Sequence, residues 1–276
     1  MNKVIITTFT DPMMGLSYEC EPVFRRLETH FGEKIAFRYV MSGLVRNVYD
    51  FVDRNDLRYG QEYALKQYLK KLAGIYKSEE SLGGLPINME GFALFDREHT
   101  SSVPLCLAYK AAELTERSKA ALFLYNLRYA TVVETKPTTH FEEILRVVQA
   151  TGIDAERFTA YYNGAAQAAL QKDFDEFEGL GVYSLPAYLL QYEDKRMLIN
   201  RLIGYDAFVQ LIDRISGGSI RPQSPTVRLE AFVRKHPLIS LKELAAAFDL
   251  ADPAAAVKKC GNMKIEKEFV RYETNI

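Results

Sequence analysis

Residues 3–41 constrain the topology of this chain more tightly than any other stretch. Lys3–Phe9 (Lys-Val-Ile-Ile-Thr-Thr-Phe) is rich in β-branched residues and stops at Asp11-Pro12, as a buried strand ended by a turn would. From Ser17 to Phe31 the apolar positions Cys20, Val23, Phe24, Leu27 and Phe31 fall on one helical face, and Gly32 closes the run. Lys34–Met41 then reads as a second strand. A strand, a helix and a strand in such close succession predict a parallel pair joined by a right-handed crossover, which places the chain in the α/β class.

After Ser42-Gly43 the pattern turns helical. Tyr49–Leu72 is weakly periodic and Gly74–Asp96 looser, while Val103–Glu113, Lys119–Val133, His140–Thr151 and Asp154–Glu178 read as helices separated by Gly and Pro. Strand character returns over Gly181–Tyr192. Glu193-Asp194 makes a turn, Arg196–Asn200 supplies a partner strand, and Tyr205–Ile215 is an amphipathic helix. Ser216–Pro225 has linker composition, and beyond it Val227–Arg234, Leu241–Phe248 and Pro253–Cys260 are helical patterns followed by a strand-like Lys264–Tyr272. These boundaries predict one α/β domain from residues 1–43 and 180–217, an inserted helical domain at 44–179, a linker at 218–225 and a winged-helix-like module at 226–276.

Charge and composition narrow the function classes. Among 276 residues, 35 Lys and Arg stand against 36 Asp and Glu, a formal charge of −1, so the molecule as a whole has no electrostatic bias toward nucleic acid or anionic membrane. The short apolar run Val4-Ile5-Ile6 is too brief for a signal peptide, and nowhere is an apolar stretch long enough to span a bilayer. Three scattered cysteines, Cys20, Cys106 and Cys260, form no disulfide framework and no zinc knuckle. A cytoplasmic protein is expected.

The order strand, helix, strand, helical insertion, two strands, helix resembles the DsbA superfamily of thioredoxin-like proteins, in particular its FrnE-like, disulfide-isomerase branch. Five places over residues 3–217 carry the likeness: Phe9-Thr-Asp-Pro-Met13, Glu21-Pro22, Tyr39-Val-Met-Ser-Gly-Leu44, Thr100–Ala111 and Val182-Tyr-Ser-Leu-Pro-Ala187. The resemblance implies a thioredoxin-like fold with a helical domain inserted after the second strand. It also implies that Pro186 is the cis-proline beside the active site, with Leu185 presenting its backbone to an extended peptide.

One departure governs the functional reading. The family motif is Asp-Pro-x-Cys-x-x-Cys, whereas this chain has Asp11-Pro-Met-Met-Gly-Leu-Ser-Tyr18, with Met14 and Ser17 at the cysteine positions. A thioether cannot ionise and a hydroxyl has no accessible redox chemistry, so exchange at that position is excluded. No catalytic residue is therefore assigned. The expectation is a peptide or protein partner bound without thiol exchange in a groove of Met13, Gly15, Leu16, Tyr18, Leu185 and Pro186, with no cofactor.

Two enzyme readings stand beside it. Kappa-class glutathione transferases and 2-hydroxychromene-2-carboxylate isomerases are similar in architecture and carry serines in this segment, so Ser17 would bind glutathione. Alternatively, Cys20 would retain residual thiol oxidoreductase or isomerase activity. Thioredoxin-like adaptors that deliver the regulator Spx to the ClpXP protease are similar in layout, with a DsbA-type domain and a C-terminal extension, although their motif usually keeps cysteine.

Elsewhere the sequence carries little chemistry. His30, His99, His140 and His236 show neither i, i+4 pairing nor ligand spacing to Cys or carboxylate, so no metal site is expected. Lys258, Lys259, Lys264, Lys267 and Arg271 could contact phosphates, but Glu266 and Glu268 dilute the patch and Ala254–Ala256 leave few side chains to read bases. Packing or protein contact is the expected role of the C-terminal module, nucleic acid is not expected as a partner, and the oligomeric state is open.

Overall fold

The computed structural model describes residues 2–273. Strand β1 (Val4–Thr10) leads through a turn to helices α1 (Gly15–Glu19) and α2 (Glu21–Phe31), and β2 (Ile35–Met41) follows. The single helix expected over Ser17–Phe31 is thus two, divided at Cys20. Pro22 lies in the first turn of α2 and cannot donate to the turn before it, so the hydrogen-bond ladder breaks there.

The insertion holds α3 (Gln61–Gly83), α4 (Val103–Thr115), α5 (Ala120–Val132), α6 (Phe141–Ala150), α7 (Ala155–Tyr162) and α8 (Ala165–Gly179). Helix α3 overrides the weak break expected at Leu72–Gly74. Asn163-Gly164 splits the helix expected over Asp154–Glu178 into α7 and α8. Strands β3 (Ala187–Tyr192) and β4 (Lys195–Ile199) form the hairpin, and α9 (Tyr205–Ile215) completes the domain. Strand β3 starts only at Ala187, because Pro186 has no N–H to give to a ladder.

The sheet order is β2-β1-β3-β4, with β1 parallel to β2 and the other pairs antiparallel. Strand β1 is central, and all its residues but Ile5 are buried. On one face Val4 and Ile6 pack with Phe24 and Leu27 of α2 and with Phe208 and Ile212 of α9. On the other, Phe9, Val40 and Leu189 pack with Phe177 of α8. This is a thioredoxin-like fold with a helical domain inserted after its second strand.

Residues 216–228 contain no helix or strand, yet Ile220 is buried in the core that α2 and α9 share, and Gln223 donates its N–H to the His30 carbonyl at 2.8 Å. Beyond them come α10 (Leu229–Lys235), β5 (Leu238–Ser240), α11 (Leu241–Phe248), α12 (Pro253–Lys258), β6 (Met263–Glu266) and β7 (Phe269–Tyr272). The sheet order β5-β7-β6 with three helices gives the module a winged-helix-like outline around Phe232, Val233, Leu244 and Val270. The strand-like Lys264–Tyr272 is a hairpin turning at Lys267, whose φ is +57°.

Helix α11 lies on α2. Glu243 is fully buried and receives Arg25 at 3.0 Å and the Tyr125 hydroxyl at 2.7 Å, while the Thr29 hydroxyl donates to the Ala247 carbonyl at 2.6 Å. The module is therefore pinned to both the sheet domain and the insertion.

Candidate functional site

Asp11 organises the segment that follows β1. It is fully buried: Oδ1 accepts the Met13 N–H at 3.1 Å, and Oδ2 accepts the Leu44 N–H at 2.7 Å, the Ser102 hydroxyl at 2.7 Å and the Cys106 thiol at 3.3 Å. Burial raises its pKa against the pull of these donors. One carboxylate thus ties the start of α1 to the loop after β2 and to the first turn of α4.

Met14 caps α1 with extended backbone (φ −70°, ψ 118°) and donates its N–H to the Asp11 carbonyl at 3.1 Å. The Ser17 hydroxyl is 2% exposed. It accepts from the Thr10 hydroxyl at 2.7 Å and donates toward the Met14 sulfur at 3.9 Å. Thr10 in turn accepts from Arg128 at 2.8 Å, and the other arm of Arg128 pairs with Glu21 at 2.9 Å. Ser17 is thereby built into a buried polar chain that runs from α1 through β1 to α5.

Helix α3 lies against α1 at two glycines. A Cβ on Gly15 would fall 2.2 Å from Oε2 of Glu79, and one on Gly83 would fall 2.2 Å from the Glu19 carbonyl oxygen. Beyond the Gly15 contact Tyr76 donates its hydroxyl to the Met13 carbonyl at 2.6 Å. Glu19 accepts the N–H groups of Gly83 at 2.9 Å and Leu85 at 3.2 Å, yet burial still pushes its carboxyl up to about 7. Glu79 is also pushed up to about 7 by burial, against the opposing pull of the Leu16 backbone N–H.

A cleft of about 710 Å³ opens beside this contact. Met13, Met14, Gly15 and Leu16 form one wall and Leu185 another, with Glu79, Tyr76 and Ile75 of α3 opposite. The Leu185–Pro186 peptide bond is cis. Pro186 itself is buried behind Leu185, and Tyr18 points into the core of the insertion at 0% exposure; neither lines the cleft, and nor does Ser17. Around the opening Leu44, Phe51, Ile75 and Tyr183 are exposed by 39, 45, 43 and 83%.

The cysteines lie apart from one another. Cys20 is buried in the core with its sulfur 3.6 Å from the Tyr188 hydroxyl, and burial raises its thiol to about 11, away from the reactive thiolate form. Cys106 is fully buried and Cys260 half-buried, and all three are free thiols.

With this geometry in place, comparison with known proteins gives a consistent result. A family model described as thioredoxin matches residues 7–210. The chain belongs to the thioredoxin family. Among solved structures, this thioredoxin-family chain is similar to a protein assigned as a disulfide isomerase from Nitrosomonas europaea, with a TM-score of 0.64, 16% identity, and 79% of this chain and 99% of that one covered. It is also similar to the cytosolic disulfide reductase DsbM of Pseudomonas aeruginosa, with a TM-score of 0.53, 20% identity, and coverage of 76% and 98%. These likenesses are of fold. Among curated proteins, the ClpXP adapter protein SpxH of Bacillus subtilis is 26% identical over 254 residues, which cover 89% of this chain and 78% of the relative.

Four residues that shape the site carry no signal of that role in the sequence, where the pair Glu79-Glu80 reads as a solvated helix face although Glu79 is half-buried against Gly15. Asp11 stands in the quoted motif without an assigned task, Glu79 and Tyr76 meet the start of α1 only through the fold, and Arg128 reaches Thr10 and Glu21 only through it. A visible signal was available for one contact: Gly15 beside a motif position marks a close approach of another group. No helix among the described residues is long and apolar enough to cross a membrane.

Proposed function

We propose that this chain is a cytoplasmic protein-binding adaptor on a thioredoxin-like scaffold, acting without thiol–disulfide exchange. The observation that carries the reading is the cleft at Met14: the redox positions hold a thioether and a buried hydroxyl, while exposed apolar side chains surround the opening. Contiguous exposed apolar surface rimmed by polar groups marks interaction sites. Leu44, Phe51, Ile75 and Tyr183 supply that surface, with Arg46 and Lys71 at its rim.

The enzyme readings find less support. Ser17 already accepts one hydrogen bond and donates another, so a glutathione sulfur would have to displace a built network. Cys20 is buried and held as a thiol. The Bacillus subtilis relative named as a ClpXP adapter supports a protein partner, with protein delivery to an ATP-dependent protease as the finer form of the proposal.

The test pairs two assays on the purified chain. Insulin reduction should give no turnover, and adding the chain to host ClpXP should shorten the half-life of a client protein, an effect that Leu44→Glu with Ile75→Glu abolishes. Insulin turnover that Cys20→Ala removes, or client degradation indifferent to the two cleft substitutions, would overturn the proposal.

A further inference from the structure

A second cleft, of about 960 Å³, lies between α3 and residues 89–99. Asp96, His99 and His140 meet on its wall. Oδ1 of Asp96 accepts the N–H groups of Glu98 and His99, each at 2.8 Å, which fixes the carboxylate plane. Its Oδ2 is then 3.0 Å from Nδ1 of His99 and 2.7 Å from Nε2 of His140. The two imidazoles stack with centroids 3.7 Å apart and 21° between their planes. One ligand atom from each of the three residues lies within 4.8 Å of the other two. No metal site is expected from the sequence spacing because His140 joins the set only through the fold, although Asp96 and His99 already stand three residues apart.

We propose that Asp96, His99 and His140 form a binding site for one borderline divalent transition-metal ion, zinc in the cell. Two imidazole nitrogens and one carboxylate oxygen are the donors such ions prefer, and three protein ligands leave further positions to water. Metal–ligand bonds of about 2.0–2.2 Å require donor atoms spaced slightly wider than the present 2.7–3.0 Å contacts, so the ion enters by a small outward movement of the partly exposed side chains, 32, 31 and 43% for His99, His140 and Asp96. The backbone donors to Oδ1 supply the outer-shell orientation that a ligating carboxylate needs.

Other features of the cleft set the strength. Lys66 and Lys70 line it and oppose a cation, Glu98 and Glu62 offset them, and Glu62 is itself engaged by Arg97 at 2.7 Å. Among the described residues no protein group meets Nε2 of His99 or Nδ1 of His140, so the rings lack the second hydrogen bond that locks a structural ligand. The site is built for exchangeable binding, weaker than that of a structural zinc centre.

The experiment uses the full chain without an affinity tag, carrying Cys260→Ser to remove the one half-buried thiol. Zinc titrated by calorimetry should bind at one equivalent, and cobalt should give visible bands without the near-ultraviolet band of a thiolate ligand. His99→Ala, His140→Ala and Asp96→Asn should each weaken binding tenfold or more. As a measurement independent of variant folding, substoichiometric cobalt should broaden the imidazole proton resonances of His99 and His140 and spare those of His30 and His236. Absence of stoichiometric uptake, broadening confined to His30 or His236, or binding that survives His99→Ala with His140→Ala would overturn the proposal.

Discussion

The Glu79 carboxylate occupies the space that a side chain on Gly15 would fill, 2.2 Å from where its Cβ would stand. Met14 is the next residue back along the chain, and it lines the same cleft as this carboxylate supplied by the insertion. A negative neighbour disfavours a second negative charge. The approach of Glu79 to Gly15 and of Gly83 to the Glu19 carbonyl makes α1 a packed surface for α3.

The two glycine contacts differ in what a methyl group would strike. At Gly15 it meets the end of a flexible Glu side chain, whereas at Gly83 it meets the backbone carbonyl of Glu19, with the carbonyl carbon at 3.0 Å. Gly15→Ala should therefore cost about 1 kcal/mol. Gly83→Ala should cost about 2–3 kcal/mol of overpacking, less a few tenths recovered from helix propensity. Urea denaturation of the two variants measures the order, and equal or reversed costs would contradict the packing described.

Glu19 and Glu79 make stability depend on pH in an unusual direction. Each has a folded pKa of about 7, above the ordinary Glu value of 4.5. Between about pH 4.5 and 7 the folded state holds protons that the unfolded state has released, so their contribution is full below pH 4.5 and falls as pH rises to 7. Glu79→Gln and Glu19→Gln keep the shape and remove the titration. Each should gain on the wild type by about 1–3 kcal/mol when urea midpoints at pH 8 are compared with those at pH 5. A constant difference across that range would show that the carboxyls titrate normally.

The legible and illegible parts of the molecule separate by range. The β-branched run of β1 and the stripe at Cys20, Phe24 and Leu27 are local patterns, and they were enough for the sheet and its helix. The break at Cys20 was readable too, because Pro22 cannot continue a helix from the turn before it. Ser240-Leu-Lys-Glu243 likewise carries the capping-box signature that starts α11. What local pattern cannot supply is which distant group meets a given residue. Glu79 reaches Gly15 across 64 positions and His140 reaches Asp96 across 44, and neither spacing leaves a periodic trace in the sequence.

Introducing a thiol tests the influence of Glu79 on the motif position. In Met14→Cys the sulfur shares the cleft with a carboxyl that is about half ionised at pH 7, since its pKa is about 7. Combining Met14→Cys with Glu79→Gln removes that charge, lowers the thiol pKa, and should raise the iodoacetamide alkylation rate at pH 8 several-fold. The pH profile of alkylation in the single and double variants reads the shift directly. Superimposable profiles would mean that Glu79 exerts no field on the motif.

Of the ion pairs among the described residues that join the C-terminal module to α2, Arg25–Glu243 is the one buried on both sides. Glu243 caps its own helix by accepting the Ser240 N–H at 2.8 Å, and it also takes Arg25 at 3.0 Å and Tyr125 at 2.7 Å. Arg25 is held further by Glu21 at 3.2 Å, and these carboxylates keep its guanidinium firmly charged despite burial. Glu243→Ala leaves that charge short of a partner, removes the cap and strands the Tyr125 hydroxyl, which together should cost about 3–5 kcal/mol. Glu243→Gln preserves the cap and should cost clearly less. Because the contact joins the module to α2, the loss should appear first as proteolytic cleavage within residues 216–228 at protease concentrations that leave the wild type intact. Uniform unfolding without early cleavage there would show that the module and the thioredoxin-like domain melt as one unit, with no separable joint at Glu243.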